Sequence, residues 1–108
     1  MNKRNPAQVQ ALIEDATVDC YNEDEQVTGI FTKLEENLEL PFETEVLGVT
    51  VTVQRIDLSA TGDIVAICSG NGTRQSIPLY DLPLPTRRPD GVEWIEAYRR
   101  WSGLNGGR

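Results

Sequence analysis

Histidine is absent from the 108 residues of this chain, and its absence removes several kinds of chemistry. No Ser-His or Cys-His nucleophile can form, and no imidazole is present to ligate zinc or non-haem iron. The two cysteines, Cys20 and Cys68, are too few for a disulfide framework, and without histidine they cannot complete a usual structural zinc site. We therefore expect a protein that is not an enzyme, and we expect both cysteines to be small buried thiols.

Long apolar runs are also missing. No stretch approaches the ~18 apolar residues of a transmembrane helix, and residues 1–10 contain no hydrophobic segment typical of a signal peptide. We therefore expect a cytoplasmic protein without a membrane partner. The length fits a single domain over residues 1–108, with frayed tails at 1–5 and 103–108.

Basic residues are scarce in one part of the chain. The net charge is −7 overall, but residues 14–45 contain eleven acidic residues and one base, Lys33, which is a charge of −10. The acidic residues are Glu14, Asp15, Asp19, Glu23, Asp24, Glu25, Glu35, Glu36, Glu39, Glu43 and Glu45. Such a surface attracts cations and repels phosphate backbones and anionic membranes, so we do not expect nucleic acid as a partner.

The first half of the chain has helical periodicity. Pro6 suits the first turn of a helix, and the apolar residues after it predict a helix over about 6–18. A connection over 19–23 leads to a second helix that Pro41 ends. Its apolar face contains Val27, Ile30, Phe31, Leu34 and Leu38, and its cap is Asn22 or Asp24.

The second half alternates with period two. This pattern predicts strands over 47–54, 64–68 and 73–80, and Pro78 places the last of these at an edge of the sheet. A turn over 59–63 and a hairpin over 69–72 connect them. After a proline-rich connector, a third helix over 92–101 buries Trp94, Ile95, Tyr98 and Trp101. The fold class is therefore α+β: two N-terminal helices, an antiparallel sheet of three to four strands or a small SH3-like open barrel, and a C-terminal helix.

The acidic segment has the ligands that a hard cation prefers. Calcium takes ~6–8 oxygen ligands from carboxylates, amide and main-chain carbonyls and water. The candidate ligands near the connection are Asp19, Asn22, Glu23, Asp24 and Glu25, and a second candidate cluster contains Glu35, Glu36, Glu39 and Glu43. Neither cluster matches an EF-hand: counted from Asn22, the sixth and twelfth positions are Val27 and Lys33 instead of glycine and glutamate. A calcium site here must be irregular or built from separated segments.

Several short motifs resemble one family. The runs 19–26, 34–38 and 40–42, together with 77–82 and the closing 94–101, are similar to the small acidic calcium-binding proteins of heterocyst-forming cyanobacteria. The resemblance covers about residues 12 to 101. It implies a non-enzymatic calcium buffer or sensor, active in calcium signalling, that binds the ion through carboxylates outside any EF-hand. By position, the resemblance implies that the acidic segment Asp19–Glu25 binds the ion.

A different class of function is also open. The acidic face could dock a basic protein partner, or the exposed edge of the third predicted strand could add a peptide, in both cases without a metal. Bound cations with carboxylate contacts would favour the calcium hypothesis. An exposed apolar surface or an unpaired strand edge would favour the interaction module.

Overall fold

The computed structural model describes residues 5–104, and these form the α+β arrangement that the sequence predicts. Three helices and four strands follow one another in the order α1 (Pro6–Ala16), α2 (Glu23–Asn37), β1 (Phe42–Val46), β2 (Val49–Leu58), β3 (Ile64–Gly70), β4 (Thr73–Pro78) and α3 (Val92–Leu104). A single 3-10 turn, Leu79–Asp81, follows β4. The predicted tails at 1–4 and 105–108 lie outside the described residues.

The four strands form one antiparallel sheet in the order β1-β2-β3-β4. The predicted first strand over 47–54 is wrong at its start, because Leu47 and Gly48 both have positive φ and form the turn between β1 and β2. The earlier strand β1 instead pairs with β2 from Phe42 opposite Val53 to Val46 opposite Val49. Leu47 is in phase with Val49, Val51 and Val53, so the alternation makes this turn residue resemble part of the strand. The SH3-like barrel stays a prediction.

The edge position of β4 is confirmed. β4 pairs with β3 from Gly70 opposite Thr73 to Val65 opposite Pro78, and it is the last strand of the sheet. The strand ends at Pro78 instead of 80, because the chain then enters the 3-10 turn. Proline cannot donate a ladder hydrogen bond, so the edge of the sheet tolerates it where a central strand would not.

The helix ends differ from the predicted bounds by a few residues. Asn5 is not part of a frayed tail: its side chain caps α1 by accepting from the Gln8 N–H at 2.9 Å. α2 ends at Asn37, since Leu38 is extended, and α3 continues to Leu104. Residues 103 and 104, predicted to be part of a frayed tail, therefore belong to α3.

Side chains from all three helices and from one face of the sheet meet in a single core. Tyr98 of α3 is fully buried, and its hydroxyl accepts a hydrogen bond from the Ile64 N–H at the start of β3, with an N···O distance of 3.1 Å. The ring of Trp101 stacks on the Tyr98 ring with 6.1 Å between centroids. The predicted packing residues of the third helix, Trp94, Ile95, Tyr98 and Trp101, are all buried. α3 thus packs against both other helices and, through Tyr98, bonds the start of β3.

Across residues 5–104, none of the helices combines the length and the apolar character that crossing a bilayer requires.

Candidate functional site

The connection between α1 and α2 is a short polar turn. α1 ends where the Thr17 N–H bonds the Ile13 carbonyl, and Asp19 then adopts a left-handed conformation with φ 64°. Because the conformation of Asp19 reverses the direction of the chain, α2 can pack on α1. The contact between the two helices is close: a side-chain carbon on Gly29 would overlap the Ala16 carbonyl oxygen. The Trp101 indole N–H donates to the Gln26 side-chain oxygen at 2.9 Å and links the start of α2 to α3.

Two of the predicted ligands are used to cap α2. The Asn22 side-chain oxygen accepts from the Glu25 N–H at 2.9 Å. In return, a carboxylate oxygen of Glu25 accepts from the Tyr21 N–H at 2.7 Å. This reciprocal pair satisfies main-chain donors at the start of the helix, where they otherwise have no partner. It holds the Asn22 and Glu25 side chains in place.

α2 begins at Glu23, although the sequence predicts that this residue belongs to the connection over 19–23. Glu23, Asp24 and Glu25 form the first turn of α2, where the helix dipole favours carboxylates. The Asn22 carbonyl already accepts from the Gln26 N–H at 3.0 Å. Residues 23–25 therefore offer side-chain oxygens to an ion, and the non-helical connection is limited to 17–22.

The second predicted cluster does not come together. Glu35 and Glu36 are exposed on α2, and Glu43 lies on β1 opposite Thr52. Glu39 has a structural role: its Oε1 accepts from the Asp90 N–H at 3.0 Å, and its Oε2 lies 3.6 Å from an Arg87 nitrogen. Over residues 5–104, no three acidic or thiol side chains are close enough to hold a metal ion as a group.

A cleft that the sequence does not predict lies beside the first turn of α2. It has a volume of about 310 Å³ and lies between α2 and the turn that joins β2 to β3. Its oxygen-bearing lining side chains are Asp24 and Thr28 of α2 and Ser59 and Thr61 of the turn. The Ser59 and Thr61 hydroxyls are 2.9 Å apart, and Thr61 also donates to Asp63 at 3.4 Å. A carboxylate and hydroxyls from separated segments thus border one space.

The sequence contained a signal for this cleft. The turn Ser59-Ala-Thr-Gly-Asp63 has three oxygen-bearing side chains in five residues. Read alone, it indicates only a turn between strands, because such residues commonly bond their own backbone. The register of the sheet and the packing of α2 bring this turn next to Asp24. No pattern of neighbouring residues in the sequence predicts that contact.

Within residues 14–45, one base faces eleven acids. Lys33 is the only base within residues 14–45, and its ammonium lies 3.6 Å from an Asp15 carboxylate oxygen. The same ammonium lies 5.8 Å from the centre of the Trp94 ring. Nine of the eleven acids of the segment are exposed, and the other two, Glu23 and Glu39, are partly buried. The field there favours cations over anions.

Three comparisons with known proteins were made: no family model, no curated protein and no solved structure matches this chain.

Proposed function

We propose that this protein is a non-enzymatic calcium-binding protein, a buffer or sensor that holds the ion beside the first turn of α2. The observation that carries the proposal is the oxygen-lined cleft between α2 and the β2–β3 turn, with Asp24 in its wall. The motifs that resemble the acidic calcium-binding family support the same function. A cytoplasmic location belongs to the proposal, because a reducing compartment keeps Cys20 and Cys68 as the free thiols they are here.

The cleft suits a weak site for a flexible cation. Calcium accepts irregular coordination and keeps water molecules as ligands, and its affinity falls with fewer charged ligands. Asp24 would supply a carboxylate, and the Ser59 and Thr61 hydroxyls and nearby carbonyls would supply neutral oxygens. The neighbouring acids Asp19 and Glu23 would add attraction without direct contact. A micromolar or weaker affinity follows from one or two charged ligands.

The ligand chemistry also selects the ion. Magnesium demands a regular octahedron and gives up its water reluctantly, so calcium is favoured in an irregular cleft. Zinc prefers nitrogen and sulfur ligands; the chain has no histidine, and Cys68 is buried in the core. Calcium should therefore displace magnesium in a competition titration, and zinc should show no specific high-affinity binding.

The proposal is tested by calorimetric titration of calcium into chelator-stripped protein and two matched variants. Asp24→Asn and Glu36→Gln each neutralise one exposed carboxylate of α2, but only Asp24 lines the cleft. Asp24→Asn should weaken calcium binding about tenfold or more, whereas Glu36→Gln should change it by about twofold or less. A Ser59→Ala variant should give an intermediate loss, because a neutral ligand contributes less than a charged one.

Equal losses of calcium affinity in Asp24→Asn and Glu36→Gln would mean that calcium is attracted by the overall charge and not bound in the cleft. Equal affinity for magnesium and calcium would have the same meaning. A thermal melt gives a second readout: calcium at about a hundredfold excess over Kd should stabilise the folded state by ~2.7 kcal/mol. The control is sodium chloride at matched ionic strength, since screening alone relieves some of the repulsion among the acids.

A further inference from the structure

Two apolar side chains on the α1–α2 connection are left in solvent. Tyr21 is 87% exposed and Val18 is 67% exposed. Only five large apolar side chains in the described part of the chain are exposed, and these two lie within four residues of each other. The other three, Leu47, Val49 and Leu104, lie in the β1–β2 hairpin and at the end of α3. An aromatic ring gains much from burial, and tyrosine is enriched at protein interfaces for that reason.

The charges around this pair define what can cover it. Acidic residues precede, separate and follow Val18 and Tyr21, namely Glu14, Asp15, Asp19, Glu23, Asp24 and Glu25. The one base of this segment, Lys33, already pairs with Asp15. A nucleic acid or an anionic membrane would be repelled. A second copy of the chain would bring the same segment of charge −10 against this one.

One carboxylate is fixed next to the tyrosine. The Tyr21 N–H donates to Glu25 at 2.7 Å, and the Glu25 N–H is bonded to the Asn22 side chain. Glu25 is therefore ordered before any partner arrives, which lowers the entropy cost of forming an ion pair with it. A carboxylate held in this way can accept charge-assisted hydrogen bonds from arginine or lysine, and an exposed tyrosine ring can contact the same cations through its face.

We infer that Val18, Tyr21 and Glu25 form a docking surface, here called the connection surface, for a segment of a partner protein that combines arginine or lysine with apolar side chains. The basic groups pair with the carboxylates, and the apolar groups cover Val18 and Tyr21. The inference goes beyond calcium binding and does not depend on it, because the bonds that hold Glu25 involve no ion.

The test is fluorescence anisotropy with a labelled peptide of about 15 residues, long enough for an amphipathic helix of leucine and lysine. A second peptide has serine at every leucine position and the same charge. Both are titrated with the full chain in chelator at about 0.15 M salt, where long-range attraction is largely screened. The leucine-lysine peptide should bind at least about tenfold more tightly than the serine-lysine peptide.

Variants then locate the contact. The double variant Val18→Ser/Tyr21→Ser should weaken binding of the leucine-lysine peptide about tenfold or more. Leu47→Ser is the matched control, because it also removes an exposed apolar side chain, at 98% exposure, but in the β1–β2 turn. It should change the affinity by about twofold or less. Circular dichroism confirms that each variant is folded.

Three results would overturn the inference. One is the absence of saturable peptide binding. Another is an equal loss in the Leu47→Ser control, which would indicate non-specific apolar contact. The third is stronger binding to phosphatidylserine vesicles than to the peptide, which would make the connection surface a membrane contact. Because calcium is chelated throughout, a failure to bind the peptide would not contradict the calcium-binding proposal. A failure to bind calcium would likewise not contradict the docking surface.

Discussion

The starts of α2 and α3 are both loop-to-helix junctions, and their surroundings are opposite. At α2, Asn22 and its neighbours Tyr21 and Asp24 are exposed, and the cap is made by side chains of the connection itself. At α3, Pro89 is fully buried, and the junction is bonded to the end of α2 by main-chain groups. At the first junction, side chains of the connection therefore cap the helix, whereas at the second junction Glu39 and Asp90 bond two chain segments to each other.

Glu39 shows how this difference affects the site prediction. The Glu39 N–H donates to the Asp90 carbonyl at 2.8 Å, while its carboxylate accepts from the Asp90 N–H. This two-way link joins the segment after α2 to the segment before α3. An acid of the same charge in α2, Asp24, instead lines an open cleft. Two acids of equal charge thus have different surroundings, because Glu39 is bonded to the segment before α3 whereas Asp24 lines the cleft.

The largest expected effect is at the α3 junction. Gly91 has φ 84°, and a side-chain carbon there would overlap the Asn37 carbonyl. Gly91→Ala should lower the free energy of unfolding by ~3 kcal/mol or more, from left-handed strain and overpacking together. Thermal melts should show a fall of at least about 12 °C. Gly72→Ala is the control, because φ is 71° but the surrounding space is open, and it should cost only ~1 kcal/mol. Similar losses in the two variants would mean that the contact with Asn37 is loose.

A smaller effect is expected where α3 meets the sheet. Tyr98→Phe removes the hydroxyl that accepts from the Ile64 N–H and leaves that buried donor without its partner. The loss should be ~1–3 kcal/mol in denaturant unfolding, with an unchanged slope. Tyr80→Phe is a suitable control, because Tyr80 is only half-buried and its ring lies beside the Tyr98 ring. A loss in Tyr98→Phe no greater than in the control would show that water reaches the Ile64 N–H.

The cap of α2 should matter less. Asn22→Ala removes the acceptor for the Glu25 N–H and should destabilise the protein by ~1 kcal/mol. Asn22→Ser keeps an acceptor at the same position and the same charge, so it should recover most of the stability. Urea unfolding of the two variants distinguishes them. If both are as stable as the unaltered protein, the helix start is held by the Trp101 bond to Gln26 instead.

The smallest effect is expected at Tyr21. Its side chain is 87% exposed, so Tyr21→Ser should change the free energy of unfolding by no more than ~0.5 kcal/mol. The same variant lies in the proposed docking surface, where it should matter for peptide binding. Chemical denaturation monitored by tryptophan fluorescence measures the stability. A loss above ~1 kcal/mol would show that the ring packs on the protein in solution, and the surface would then not be free for a partner.

Local patterns were sufficient for much of the fold. Pro6, the apolar face of α2 and the aromatic spacing of α3 each predict an element that the structure contains, because a helix or strand must turn one side toward a core. Pro78 similarly predicts an edge strand, which β4 is. The turn at Leu47-Gly48 was missed, because Leu47 is apolar and in phase with Val49, Val51 and Val53 although it lies in the turn.

The sequence by itself determined the composition of the site: no histidine, a segment of charge −10 and oxygen as the only abundant ligand atom. Tertiary structure alone decided which oxygens come together. It placed the Ser59–Asp63 turn beside Asp24 and drew Glu39 into the α3 junction. The physical reason is the distance along the chain over which each property acts. Charge and periodicity depend on residues that are close in sequence. A cleft depends on sheet register and helix packing, which bring together residues thirty or more positions apart.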